Sequence, residues 1–166
     1  MSLLSRVSVP CLSIAAIAFA ASAAAQTATA TLSANLGGLA KLSLSSTTLT
    51  FPDSNPDTVP QVPATGGAII ITAKARGTPG STVTLTILAS DDLRSGLNTI
   101  PIAALTWTAS GAGFVNGTVS RLVPQVVGSW SGPGIRTGTQ MFLFQNGWNY
   151  PTGTYSVSLL YTLVAP

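Results

Sequence analysis

An all-β sandwich is the fold that this 166-residue chain predicts, on three observations. Apolar and polar residues alternate with a period of two along much of its length, clusters of Gly, Pro, Asn and Asp separate those runs, and no segment beyond residue 25 carries a sustained apolar stripe of period 3.6. Thr and Ser supply the polar half of the alternation. The chain holds 22 Thr and 19 Ser against 11 charged side chains, and Thr beside Val, Ile and aromatic residues suits a pleated surface.

The alternation places strands at residues 42–51, 68–75, 82–89, 105–109, 139–144 and 154–163. Pro52-Asp53-Ser54-Asn55-Pro56, Gly77-Thr78-Pro79-Gly80, Ser95-Gly96, Gly111-Ala112-Gly113, Asn116-Gly117, Gly132-Pro133-Gly134 and Asn146-Gly147 fill the gaps with turn chemistry. Short strands at such spacing fit an immunoglobulin-like sandwich. Neither a repeat at solenoid spacing nor a dividing linker is visible, so residues 39–166 read as one β-sandwich domain.

Residues 1–25 read as a secretory signal peptide: Arg6, an apolar run over residues 12–21, then Ala23-Ala24-Ala25 before Gln26. That run is shorter than the roughly 20 residues a spanning helix needs, so no membrane segment is expected once the leader is gone, and the protein is expected outside the cell or on its surface. Cys11, the single cysteine, precedes the apolar run and leaves with the leader. No disulfide framework is then available. Six basic and four acidic side chains remain, a net charge near +2. Lys41, Lys74, Arg76, Arg94, Arg121 and Arg136 are scattered along the sequence, with no basic run to track a phosphate backbone, and nucleic acid is not an expected partner.

The inventory argues against catalysis. Beyond residue 25 there is no His, Cys or Glu, which removes the commonest general base, the thiolate and the usual zinc ligands. Asp91-Asp92 follows an apolar strand and reads as a solvated turn. Asp53-Ser54-Asn55-Pro56-Asp57 spells the opening of a calcium loop, but Thr58 and Ala64 stand where that loop needs Gly and a bidentate Glu. It reads as an Asx turn framed by prolines. No catalytic residue, metal or cofactor is assigned. Asn116-Gly117-Thr118 matches a glycosylation acceptor, a pattern too short to carry weight.

Two binding readings remain. Trp148 and Tyr150, in Asn146-Gly147-Trp148-Asn149-Tyr150, form a candidate platform for sugar rings, against the plainer reading of buried aromatics that anchor a loop. Trp107 reads as core. The other candidate is the stretch QTATATLSANL, residues 26–36, whose even positions are Ala28, Ala30, Leu32, Ala34 and Leu36 and whose odd positions are Thr, Ser and Asn. Gly37-Gly38 follows as a joint. Residues 26–38 are therefore either an arm made for another sheet or the first strand of a closed domain, and both readings stay open. At the far end Tyr155, Val157, Leu159, Tyr161 and Leu163 form a second alternating apolar face.

The order of the alternating arm, LAKLSLSSTTLTFPD, ATGGAIIITAKARGTPGSTVTLTI and the ending GTYSVSLLYTL resembles the spore coat protein U family, secreted subunits similar to pilins of archaic chaperone-usher systems. The resemblance implies an incomplete immunoglobulin-like sandwich completed by the N-terminal arm of another subunit, termed donor-strand exchange. It makes Ala28, Ala30, Leu32, Ala34 and Leu36 donor residues, and Tyr155, Val157, Leu159, Tyr161 and Leu163 the acceptor face. The partners it implies are further copies or related fibre subunits, with a periplasmic chaperone and an usher. Many members carry a cysteine pair near the positions of Ala40 or Lys41 and Lys74 or Ala75, which this chain lacks.

The loop reading yields a direct expectation. Millimolar calcium leaves the melting temperature unchanged, and a rise that Asp53→Ala abolishes would overturn the assignment of 53–57 as a plain turn.

Overall fold

A computed structural model describes residues 30–166. Residues 1–25, read as the leader, and Ala28 lie outside them. The chain divides into two compact units, Met1–Ala34 and Asn35–Pro166. Of the first, residues 30–34 are described; they form no strand, and Leu32 is 97% exposed.

The second unit is an all-β sandwich of antiparallel sheets. Its strands are β1 (Leu39–Leu44), β2 (Gln61–Pro63), β3 (Ile69–Arg76), β4 (Thr82–Ala89), β5 (Leu93–Ser95), β6 (Asn98–Ile100), β7 (Leu105–Ser110), β8 (Gly117–Thr118), β9 (Gln125–Ser131), β10 (Gly134–Gln145) and β11 (Leu159–Val164). The larger sheet runs β1-β3-β10-β7-β8, with β2 pairing the far end of β10. The smaller runs β11-β4-β9, and β5-β6 form a separate hairpin.

Alternation explains the stacking. In β4, Val83, Leu85, Ile87 and Ala89 are buried while Thr82 is exposed and Thr84 and Thr86 are half-buried; in β3 the inward set is Ile69, Ile71 and Ala73. Across the core β4 meets the inward side chains of β3, β7 and β10, where Trp107 and Phe142 pack with ring centroids 6.3 Å apart. A bulge between Leu85 and Thr86 shifts the pairing of β4 with β9, and such bulges sharpen local twist.

One flank of the sandwich is sealed. The segment between β7 and β8 crosses to β9, with Val115 N–H donating to Val127 O at 3.0 Å and Ser129 N–H donating to Gly113 O at 2.9 Å. Both buried indoles take carbonyls from this segment: Trp107 Nε1 donates to Val115 O at 2.8 Å and Trp130 Nε1 to Ala112 O at 2.7 Å. Phe114 meets Trp130 edge-on at 5.0 Å. A buried indole N–H needs such a partner, so the seal is both apolar and hydrogen-bonded.

Several strand expectations shift. The strand expected at 42–51 is Leu39–Leu44; beyond it Ser45 Oγ accepts from Ile70 N–H and Ser46 and Thr48 close a local turn, so side-chain hydrogen bonds replace the ladder. The expected 139–144 extends to Gly134–Gln145, because β3 and β7 flank β10 at different stretches. Of the expected 154–163, regular pairing covers only Leu159 onward, with a single bridge between Ser156 and Arg94 before it. β9 was not among the expected strands, since Gln125-Val126-Val127-Gly128 lacks alternation and Gly is a poor strand residue. Asp91-Asp92 is also more than a solvated turn: Asp92 Oδ1 accepts from Ile102 N–H at 2.9 Å and its Oδ2 lies 3.1 Å from Arg121 Nε.

Gly113 tests the seal. Its φ is +81°, and a Cβ there would strike the Trp130 indole. Gly113→Ala should lose at least about 2 kcal/mol, from left-handed backbone strain and overpacking together, read as a lower midpoint in denaturant titration.

Candidate functional site

The opposite flank is built differently. Among the described residues β11 has a ladder partner, β4, on one side only, and β1 has only β3. These two edges lie on the same flank, and their inward side chains are half-buried rather than buried: Leu42 and Leu44 on β1, and Leu159, Tyr161 and Leu163 on β11. On β4, the next strand in the same sheet, the corresponding residues Leu85 and Ile87 are fully buried. The difference is one missing neighbour.

The sequence-assigned face is thus assembled. Tyr155, Val157, Leu159, Tyr161 and Leu163 all pack against the core and alternate with exposed residues from 154 to 164. Tyr155 and Val157 precede β11 but keep its phase; Tyr155 Oη donates to Pro151 O at 2.8 Å. At this end Phe51, Phe144 and Tyr150 stack in series, with centroids 6.0 and 5.9 Å apart.

Of the donor residues, Ala30, Leu32, Ala34 and Leu36 are described and exposed, Leu36 at 71%. Residues 30–38 pair with no strand. The arm's root is held by Arg76, whose Nε donates to Gly37 O at 2.9 Å.

Sequence reading missed a buried polar pair behind this edge. Gln140 on β10 is fully buried, and Tyr161 Oη donates to its Oε1 at 2.6 Å. Among the described residues its Nε2 has no partner. A lone Gln in the alternating run Gln140-Met141-Phe142 gave no sign that it points inward; only its phase with Phe142 did. Burial raises the Tyr161 phenol above its ordinary range.

The other candidates are placed as follows. Trp148 is 71% exposed, and its Nε1 donates to Asp57 Oδ1 at 3.0 Å. Tyr150 is half-buried on Phe144. The 53–57 segment is an Asx turn, with Asp57 N–H donating to Asn55 Oδ1 at 3.0 Å. Asp91 is held below the ordinary carboxylate range by its hydrogen bond from Arg94. Among the described residues no three His, Cys, Asp or Glu side chains gather where a metal ion would sit.

No family model matches the chain, and no curated protein matches it.

The Tyr161–Gln140 pair gives a pH test. The unfolded phenol titrates near 10.0 and the folded one above it, so the unfolded state releases its proton first. The contribution of Tyr161 to stability is complete below about pH 10 and is lost as pH rises above that value. Tyr161→Phe should flatten this alkaline loss of melting temperature. At neutral pH it should cost about 1–3 kcal/mol, because Gln140 Oε1 then joins Nε2 without a partner.

Proposed function

We propose that this protein is a secreted, non-enzymatic structural subunit of a surface fibre, pilus or coat, polymerising when the N-terminal arm of one copy adds to the open β11 edge of another. The observation that carries the reading is that edge. A strand with a free main-chain side and a half-buried apolar face offers an incoming strand both hydrogen bonds and pockets. The arm matches it in kind: one side of residues 27–36 is wholly apolar, and its described part is exposed and unpaired.

Apolar burial favours this addition. Burying Leu32 and Leu36 is worth roughly 1.5–3 kcal/mol each, with smaller terms from the alanines, before ordering costs. An edge strand left open also invites indiscriminate pairing, so a subunit of this kind needs its edge covered during export. The resemblance to spore coat protein U supplies candidates for that role, a periplasmic chaperone and an usher. Without the cysteine pair of that family, packing and the ladder hold the sandwich.

Exposure of Trp148 supports a second reading, a self-contained extracellular module that binds glycans through Trp148 and Tyr150. Assembly size separates the two: a fibre subunit forms polymers or needs a chaperone, and a binding module runs as a stable monomer.

The substitution Leu32→Asp tests the first reading, since it places an unpaired charge in an apolar pocket at a cost of several kcal/mol. Light scattering should show polymers for the wild type and none for the variant, while the variant keeps its far-ultraviolet strand signal when a peptide of residues 26–38 is supplied. A wild-type protein that stays monomeric and stable at high concentration, with neither chaperone nor peptide, would sink the proposal.

A further inference from the structure

The basic residues that are scattered in sequence are sorted in space. Of the six beyond residue 25, Arg94 pairs with Asp91 at 2.6 Å and Arg121 with Asp92 at 3.1 Å. The remaining four, Lys41, Lys74, Arg76 and Arg136, make no ion pair among the described residues, and the register collects them at one end of the larger sheet. Lys41 stands opposite Lys74 across β1 and β3, Arg76 opposite Leu39, and Lys74 opposite Ile135 at the start of β10. Like charges directly opposed on a ladder are destabilising.

The two carboxylates left over, Asp53 and Asp57, lie at the other end. Their loop is tied to the segment after β10: Asn146 Nδ2 donates to Ser54 O at 2.8 Å, and Trp148 Nε1 donates to Asp57. β10 is 12 residues long, so roughly 40 Å of strand at about 3.3 Å per residue separates the two charge sets. A carboxylate at Pro166, whose O accepts from Thr78 N–H at 3.1 Å, would offset only one of the four positive charges.

We propose that this charge separation directs subunit addition, the Lys41/Lys74/Arg76/Arg136 end of one copy docking against the Asp53/Asp57 end of the next. The inference rests on the donor-arm reading and specifies its geometry. The arm leaves the sandwich at the basic end, where Leu39 faces Arg76 and Arg76 grips Gly37. On an acceptor, β11 starts toward the acidic end and finishes at Val164, toward the basic end.

An arm entering antiparallel to β11 brings Leu36 beside Tyr155 and sets the donor's positive end against the acceptor's negative end. An arm entering parallel sets positive against positive. The occupant is therefore a second copy of this chain, in one orientation. Charge of this kind acts chiefly on encounter, raising association rates by roughly tenfold or more at low salt, and fades once the Debye length falls from about 10 Å to a few ångströms.

The experiment follows polymer growth of the purified protein by light scattering at about 0.05 M and about 0.5 M salt. Its variants are Lys41→Glu/Lys74→Glu, Asp53→Lys/Asp57→Lys, and the four substitutions combined. Each double variant should grow roughly tenfold more slowly than wild type at low salt and alike at high salt. The combined variant, whose first end keeps Arg76 and Arg136 against two Glu and so carries no net charge, should grow faster than the Asp53→Lys/Asp57→Lys variant, whose two positive ends repel. Melting curves confirm that the exposed substitutions leave the fold intact, and the shift produced by a peptide of residues 26–38 reads the groove separately. Growth indifferent to salt and to every substitution, with the peptide still stabilising the sandwich, overturns the charge inference and leaves the donor-arm reading standing. A combined variant slower than the Asp53→Lys/Asp57→Lys double does the same. A protein that neither polymerises nor responds to the peptide overturns both.

Discussion

Among the described residues β11 has one ladder partner where β4, beside it, has two, and the burial of this flank follows from that difference. A ladder partner supplies main-chain hydrogen bonds and also the side chains that cover the next stretch of core. Its lack explains why Leu159, Tyr161 and Leu163 are half-buried beside the fully buried Leu85 and Ile87. Tyr161, paired with Ile87 across the ladder, also reaches inward to Gln140 on the opposite sheet.

The two flanks solve one problem in different ways. Where β8 approaches β9, the chain spends a whole segment, residues 111–116, on closing the layers. Its carbonyls go to two indoles, and Gly113, Gly117 and Gly128 clear space for the rings. Among the described residues no comparable segment lies on the β1/β11 flank. The material that could close it, residues 26–38, precedes β1 in sequence and carries the alternation of a strand without being one in its described part.

Most of the larger architecture was legible because alternation is a local signal. Residues 82–89 could be read to the residue, since Val83, Leu85, Ile87 and Ala89 share one phase and Thr the other. The apolar face of residues 155–163 was readable for the same reason. What escaped depended on distant partners. β9 is a strand because β4 pairs it, although Gly128 breaks its pattern. β10 runs past its alternating centre because β3 and β2 flank it in turn. The inward Gln140 and the gathering of Lys41, Lys74, Arg76 and Arg136 are consequences of register, which no single segment specifies.

The route from the arm into the fold has a mechanical side. In a fibre joined through its arms, tension on one subunit would enter along β11, held by six register pairs to β4, and leave at Leu39, the first residue of β1, held by six pairs to β3. Both ladders lie along the line of pull. Their hydrogen bonds therefore bear load together, in shear, rather than parting one after another as in a peeled hairpin. Arg76 on Gly37 adds a brace where the tether meets the sheet. In such a fibre a chain without a cross-linking cysteine beyond its first 25 residues would resist force through strand direction.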